Sequence, residues 1–469
     1  DFLSSAEVLF THINLSMIPE KMIPENCSIV DDLISFYNLE EFQKYLILVE
    51  SKRTEHWNEE KKPVAFQALI EVGIQKIKNN NKINIFNKRG CVWKNIIDTE
   101  KIIDLFKDNP NSLLESVAEN RNAVIVDTKE PLKLKVLKIP KPWGYEGWYT
   151  GIEKRGVVNV EDKYGKTELP YALDLFKKQM LSDDLESLIL LKTLNPVAEN
   201  PVGDLYYELH EKKWEVYVVT EIDKTAWPSG TGIIKAGIHQ NKIEEYKKIF
   251  GKDWKNNLLE EFKSAVIEYE NTRRQIDNFQ EDIPKEILEK EANLREKASG
   301  FVGDLPVNIG DIISFPVLQI HSLRHGIKVV EFQTPHYERL ILMFAQKVIT
   351  QNHWDTEVAI NKMDTEIYHP PKLDCIHDSK YLNIERFTDF PQFNFDRIRL
   401  EPQNTYENHL DGRYQILIII SGQAAVVSQK GNSIKLKSEE SLFLPVSMGS
   451  YRIECTGENK LICLNATPK

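Results

Sequence analysis

The sequence predicts a mainly β protein with helical parts, and three observations carry that prediction. From about Leu132 onward, apolar residues alternate or cluster in short runs rich in Val, Ile, Tyr and Phe, such as Val216-Tyr217-Val218-Val219, Ile312-Ile313-Ser314-Phe315 and Val329-Val330-Glu331-Phe332. Gly, Pro and Asp punctuate these runs, the texture of an all-β sandwich or barrel. The 469 residues, 41% hydrophobic and 28% charged, have an ordinary globular composition, with length for roughly two to four cored domains.

The elements divide the chain into three regions. Residues 1 to about 130 show apolar residues near helical spacing (Phe42, Leu46 and Leu48-Val49; Ile96, Ile103 and Phe106) and no chemical motif, so a mostly helical accessory region is expected. Residues 131–369 form the first β-rich domain. It is interrupted at about 243–298 by a strongly charged stretch with Leu258, Phe262, Val266 and Tyr269 at steps of three and four, a helical insertion that Pro284 divides in two. No apolar heptad persists long enough for a coiled coil. After Tyr368-His369-Pro370-Pro371, residues 370–469 form a second β-rich domain, with strands at Tyr414–Ile420, Ala424–Val427, Ile434–Leu436 and Leu442–Leu444 and turns at Gly422 and Gly431.

Composition excludes several function classes. Sixty basic against 71 acidic side chains give a net charge of −11, the wrong balance for a chain that tracks a nucleic-acid backbone. No apolar stretch has the length of a membrane helix. The five cysteines are scattered, without a CxxC pair, and no basic segment followed by an apolar one opens the chain. A reduced, cytoplasmic protein is expected.

The chemistry-bearing residues lie in two segments. Glu208 and His210 stand two apart, so on a strand both point to one face. Glu215 follows His210 by five positions, past a turn and onto the next strand. About a hundred residues on, Gly310, Pro316 and His321 supply a turn, a strand end and a further donor. Two imidazoles and two carboxylates on rigid strands suit a divalent metal: zinc first, with iron or manganese as alternatives. Other candidates rank below this set. His321 and His325 diverge on a strand-turn, the Gly230-Thr231-Gly232 stretch reads as a loop, and Trp143 reads as core packing.

These two segments resemble the paired cupin signatures in order and spacing. More narrowly, the chain from about Leu132 is similar to type I phosphomannose isomerases. The resemblance rests on Pro140-Lys141-Pro142-Trp143-Gly144, Leu190-Leu191-Lys192-Thr193-Leu194, the Val307 to His321 run, Val330-Glu331 and Arg339. It also rests on the insertion and on Leu442-Phe443-Leu444-Pro445 with Gly449-Ser450-Tyr451. It implies two jelly-roll cupin barrels, the second metal-free because Ser450 stands at a histidine position.

The resemblance further implies a metal held by Glu208, His210, Glu215 and His321, with Glu331 as proton-transfer carboxylate. Lys192, Lys213 and Arg339 would hold the phosphate of a sugar-phosphate substrate. The implied reaction is aldose–ketose isomerisation of mannose 6-phosphate and fructose 6-phosphate through a cis-enediol. The chain departs from the family at Glu208, where Gln is usual, and in a His-to-Glu loop shortened to four residues. Two rival readings follow: an iron-dependent cupin oxygenase, and a carbohydrate-binding cupin without turnover.

Overall fold

The computed structural model describes residues 2–5, 8–14, 44–55, 63–77, 82–181, 188–279, 282–387 and 390–469. The chain divides into two compact units, one of residues 138–148 and 189–373, the other of residues 1–137, 149–188 and 374–469.

The first of these is a jelly-roll of two antiparallel sheets with a helical insertion. Its elements are β1 (Leu137–Lys141), β2 (Gly144–Trp148), β3 (Leu190–Pro196), β4 (Tyr207–Leu209), β5 (Glu215–Ile222) and β6 (Gly232–Ile238), then helices α1 (Gln240–Phe250), α2 (Trp254–Asp277) and α3 (Lys285–Ser299). Strands β7 (Val302–Val307), β8 (Ile312–Phe315), β9 (His321–Ser322), β10 (Ile327–Gln333) and β11 (Leu340–Met343) complete it. One sheet runs β8-β5-β10-β3-β2-β1 and the other β7-β6-β9-β4-β11. Their inner faces share one core, with Leu194, Tyr217, Val219 and Val329 from the first sheet and Ile234, Ala236 and Ile341 from the second.

The insertion falls where its periodicity predicts. Leu258, Phe262, Val266 and Tyr269 form the buried stripe of α2, and Pro284 caps α3, where its fixed φ and missing N–H cost nothing. Gly144 is required by a close approach: at φ +148°, a Cβ there would lie 2.2 Å from the Asn195 carbonyl oxygen. Trp143 is buried in the core cluster, as expected.

The second unit contains another jelly-roll. A nine-stranded sheet pairs with a four-stranded one made of Thr405–His409, Ser450–Cys455, Gln423–Ser428 and Ser433–Lys437. Leu417, Ile419, Leu442, Leu444, Ile453 and Cys463 fill its core. Strands Leu132–Lys135, Asn159–Glu161 and Lys166–Glu168 join this nine-stranded sheet. Placing residues 131–369 and 370–469 in separate domains therefore divides the second barrel, because the strand Leu132–Lys135 pairs with Ser441–Leu444.

The N-terminal region corrects the sequence expectation. It is not mostly helical: strands Phe2–Ser5, Val8–Asn14, Lys44–Thr54, Pro63–Ile77, Lys82–Lys94 and Val126–Asp127 form one six-stranded sheet. Helices Thr99–Asp108 and Leu113–Arg121 pack Ile102, Phe106, Leu114 and Val117 against Leu46, Leu48, Leu69 and Cys91. The physical reason is that Tyr45, Leu46, Ile47, Leu48 and Val49 are all buried. A strand covered on both faces shows a continuous apolar run instead of alternation, and such a run mimics a helix stripe. Phe42 lies outside the described residues.

Cys91, Cys375, Cys455 and Cys463 are free thiols. Among the described residues no helix is long and apolar enough to cross a membrane.

Candidate metal centre

The strand register brings the polar residues of the first barrel together. On β3, β10 and β5, Lys192, Glu331 and Tyr217 are cross-strand partners, and Gln333 and Phe315 both pair with Glu215. On the opposite sheet Glu208 pairs directly with His321. Residues two apart on a strand share a face, so the carboxylates and imidazoles that start on separate strands converge at one end of the barrel.

Ligand atoms of Glu208, His210 and His321 lie within 4.8 Å of one another. Glu215 joins them: its Oε2 is 3.2 Å from His321 Nε2 and 3.5 Å from His210 Nε2. Both imidazoles are held by their other nitrogen. His210 Nδ1 donates to the Glu338 carbonyl at 3.0 Å, and His321 Nδ1 to the Gln319 carbonyl at 3.0 Å. A carbonyl can only accept, so each Nδ1 carries the proton and each Nε2 is aimed at the centre. Phe315 stacks on His321 at 4.1 Å and fixes its ring plane.

The donor set suits a cation. Burial, and then the Lys213 charge, lowers the pKa of His210, so its Nε2 presents a lone pair toward the Glu215 carboxylate. His210 Nε2, Glu208 Oε2 and Glu331 Oε1 are buried without a hydrogen-bond partner among the described residues. Acceptors facing acceptors in a dry site are costly unless a positive charge lies between them. Nδ1 donation to a backbone carbonyl is the usual orienting partner of a metal-bound imidazole.

The remaining site residues take different positions. Lys192 is buried, 3.5 Å from Glu331 Oε2 and 2.5 Å from Gln333 Oε1. Lys213 is also buried and pairs directly with Glu215 Oε1. Arg339 is half-buried, its guanidinium 4.4 Å over the Tyr206 ring and within the electrostatic reach of Glu208. Lys192 and Lys213 are thus each paired with a carboxylate, whereas Arg339 makes no ion pair within 4 Å among the described residues.

Burial outweighs the pull of Lys192 and Lys213 on Glu331, and the neighbouring Glu215 adds to it, so its carboxyl is pushed up to about 8. Glu215 goes the other way: burial raises it, but Lys213 and the two histidines outweigh burial and hold it well below the usual range.

Sequence reasoning missed three contributors. Glu338 accepts the backbone N–H groups of Glu211, Lys212 and Lys213 at 3.0, 2.9 and 3.0 Å, so its carboxylate closes the short His-to-Glu loop while its carbonyl orients His210. Nothing local marks it. Gln333 and Tyr217, whose hydroxyl lies 3.4 Å from Glu215 Oε2, were findable, since each stands two residues from a site carboxylate on its own strand. His325 turns away from the centre as expected, with Nδ1 2.7 Å from Asp204 and its ring stacked on Trp227.

Two jelly-roll barrels, one with imidazole and carboxylate donors gathered inside it, make a cupin-like fold. Residues 383–464 match the family model for the cupin domain of mannose-6-phosphate isomerase. Mannose 6-phosphate isomerase from Bacillus subtilis shares the fold, with a TM-score of 0.52 at 13% identity over 72% of this chain and 99% of that one. A point mutant of phosphomannose isomerase from Salmonella typhimurium gives 0.55 at 12% identity, and a zinc-bound mannose 6-phosphate isomerase gives the same values, each over 72% of this chain and 99% of the other. No curated protein sequence matches the chain. The chain thus shares the fold of these phosphomannose isomerases, and its residues 383–464 match the cupin-domain model.

Proposed function

We propose that this chain is a metal-dependent sugar-phosphate isomerase interconverting an aldose and a ketose phosphate, with mannose 6-phosphate and fructose 6-phosphate as the pair. The observation that carries the reading is the proximity of two kinds of group in one barrel mouth. Glu208, His210, Glu215 and His321 form a cation-binding set, and Glu331 supplies a buried carboxyl on the adjoining rung.

Glu208, His210, Glu215 and His321 would hold the ion, with zinc preferred and iron or manganese as alternatives. When bound, the metal supplies a fixed positive charge for the oxyanion that develops along the enediol path. Glu331 is the residue for moving the proton between C1 and C2. Its raised pKa lies near neutrality, where a carboxyl can both take and return a proton, and a bound cation would draw it back down. Lys192 fixes the Glu331 side chain at 3.5 Å. Arg339 is the anchor for the phosphate, because its planar fork suits a bidentate oxyanion and its stacking on Tyr206 holds the guanidinium plane in place. Lys192 and Lys213 would add positive potential from within the wall.

A second reading, a sugar-binding cupin without turnover, is favoured by one observation: Lys213 lies on Glu215, a cation already seated on a ligand carboxylate. The test is exchange of the C2 proton of mannose 6-phosphate into deuterated solvent, followed by NMR on protein reconstituted with zinc. Exchange that stops on chelation and in Glu331→Gln supports isomerisation; saturable sugar binding with no exchange would replace it with the binding reading.

A further inference from the structure

The inward face of the first sheet carries a diagonal contact between Lys192 on β3 and Gln333 on β10. Lys192 pairs across the strands with Glu331 and Leu190 with Gln333, so Lys192 and Gln333 are diagonal neighbours, a gap that only long side chains span. Lys192, Glu331 and Gln333 are all buried. The Lys192 ammonium lies 5.5 Å from the centre of the ring of Trp148, its other cross-strand partner, 2.5 Å from Gln333 Oε1 and 3.5 Å from Glu331 Oε2.

These distances run against the usual order of preference. An ammonium and a carboxylate form the stronger, charge-assisted bond, normally about 2.7–2.9 Å long, so an unrestrained Lys192 would close on Glu331. It sits on the neutral amide instead. The amide cannot turn away, because Gln333 Nε2 donates to the Thr334 carbonyl at 3.2 Å. Thr334 is fixed in turn: its N–H donates to the Trp214 carbonyl and its hydroxyl accepts the Trp214 N–H, both at 3.1 Å. An ammonium only donates, so Oε1 is the amide atom that meets it. Held this way, Lys192 stays short of a tight ion pair, and Glu331 Oε1 bonds to none of the described residues.

We infer that Gln333 is a positioning residue: it holds the Lys192 ammonium off Glu331 and so keeps the oxygens of that carboxyl open to the proton that moves between C1 and C2. The inference rests on the isomerase reading given above, and Gln333 acts in it only through Lys192. Removing the amide oxygen lets the ammonium close on Glu331, where a charge-assisted bond competes with the substrate proton for the same oxygen. The loss falls on the chemical step and leaves substrate binding alone, because the phosphate anchor Arg339 is untouched.

The test is the rate of C2-proton exchange of mannose 6-phosphate in the zinc-reconstituted full chain, wild type against Gln333→Met, a change of similar length that removes the acceptor. Gln333→Met should lower kcat roughly tenfold or more, the size of one charge-assisted hydrogen bond, with KM kept within about twofold and zinc content unchanged. An unchanged kcat, a rise in KM at constant kcat, or a loss that tracks lost zinc would each overturn the inference. A urea double-mutant cycle with Lys192→Met reads the contact without turnover. Gln333→Met should lower the midpoint in the wild-type background and not in Lys192→Met, and equal shifts in both would overturn the inference as well. Absence of exchange in the zinc-loaded wild type would instead overturn the isomerase reading, and the urea cycle would then decide the Gln333 contact by itself.

Discussion

The two barrels use the same jelly-roll layout and differ in what they bury. In the first, Glu208, His210, Glu215 and His321 converge with few hydrogen bonds among themselves, and three of the acceptor atoms there have no partner. In the second, Tyr451 donates to Gln415 at 2.8 Å, Asn408 donates to both, and Ser450 accepts from Gln429 at 2.8 Å. One interior is a set of converging charged acceptors; the other holds a neutral network in which Asn408, Gln415 and Tyr451 satisfy one another, with the Asn465 amide left unpartnered among the described residues. Among the described residues, the only group with metal-ligand geometry lies in the first barrel. The scaffold therefore does not decide the chemistry; the charge and partnering of a few inward residues do.

That contrast can be broken from the first barrel with the largest effect. His210→Ala or His321→Ala should remove nearly all bound metal while circular dichroism keeps the β signature; a fully loaded variant would refute the ligand assignment. The matching change in the second barrel, Gln415→Ala, should leave metal content unchanged.

A smaller effect sharpens the role of the shortened loop. Glu338→Ala frees three backbone N–H groups and loosens the carbonyl that orients His210. Loss of such an outer partner lowers metal affinity roughly 10–100-fold. Competition with a zinc chelator would read this directly, and unchanged affinity would show that the loop holds itself.

Stability against pH tests the other buried cluster of the first barrel. Burial pushes Asp204 up, but the His325 hydrogen bond and the Arg324 charge outweigh it and hold the carboxyl below its usual range. A depressed folded pKa contributes stability that is present above the unfolded value near ~3.9 and is lost as pH falls through the folded one. Asp204→Asn should therefore destabilise the chain by about 3 kcal/mol near pH 7 by breaking a buried pair, and the gap to wild type should narrow below about pH 4. Urea melts at several pH values would measure it, and a gap independent of pH would contradict the pairing.

The smallest expected effect is a null. Ser450→His places a histidine beside its cross-strand partner His409, and because Asn408, Gln415 and Tyr451 add no carboxylate the pair, exposed at His409, should bind no additional metal. A second equivalent of zinc would show that one donor suffices to convert the network.

Much of this contrast is legible in the sequence because strands have a period of two. Glu208 with His210, and the run from Gly310 through Pro316 to His321, expose their donors in the one-dimensional pattern. Ser450 similarly marks the second barrel. What is not legible is reached across the fold. Glu338 is more than a hundred residues from the loop it closes, and no local spacing announces it. Lys213 reads as a free cation until its neighbour Glu215 folds back against it. The N-terminal sheet is hidden for another reason: burial on both faces of Lys44–Thr54 removes the alternation by which a strand is recognised. The insertion kept its period over Trp254–Asp277 and was readable there, whereas the break at Gly251–Asp253 that makes three helices instead of two was not read from the sequence.

The most direct test of the account is the metal stoichiometry of the purified full-length chain, determined by elemental analysis alongside Gln415→Ala and His321→Ala. The account predicts close to one divalent ion per chain in wild type and in Gln415→Ala, and almost none in His321→Ala. A folded wild-type chain that takes up no zinc, iron or manganese, or one whose metal survives in His321→Ala, would contradict it.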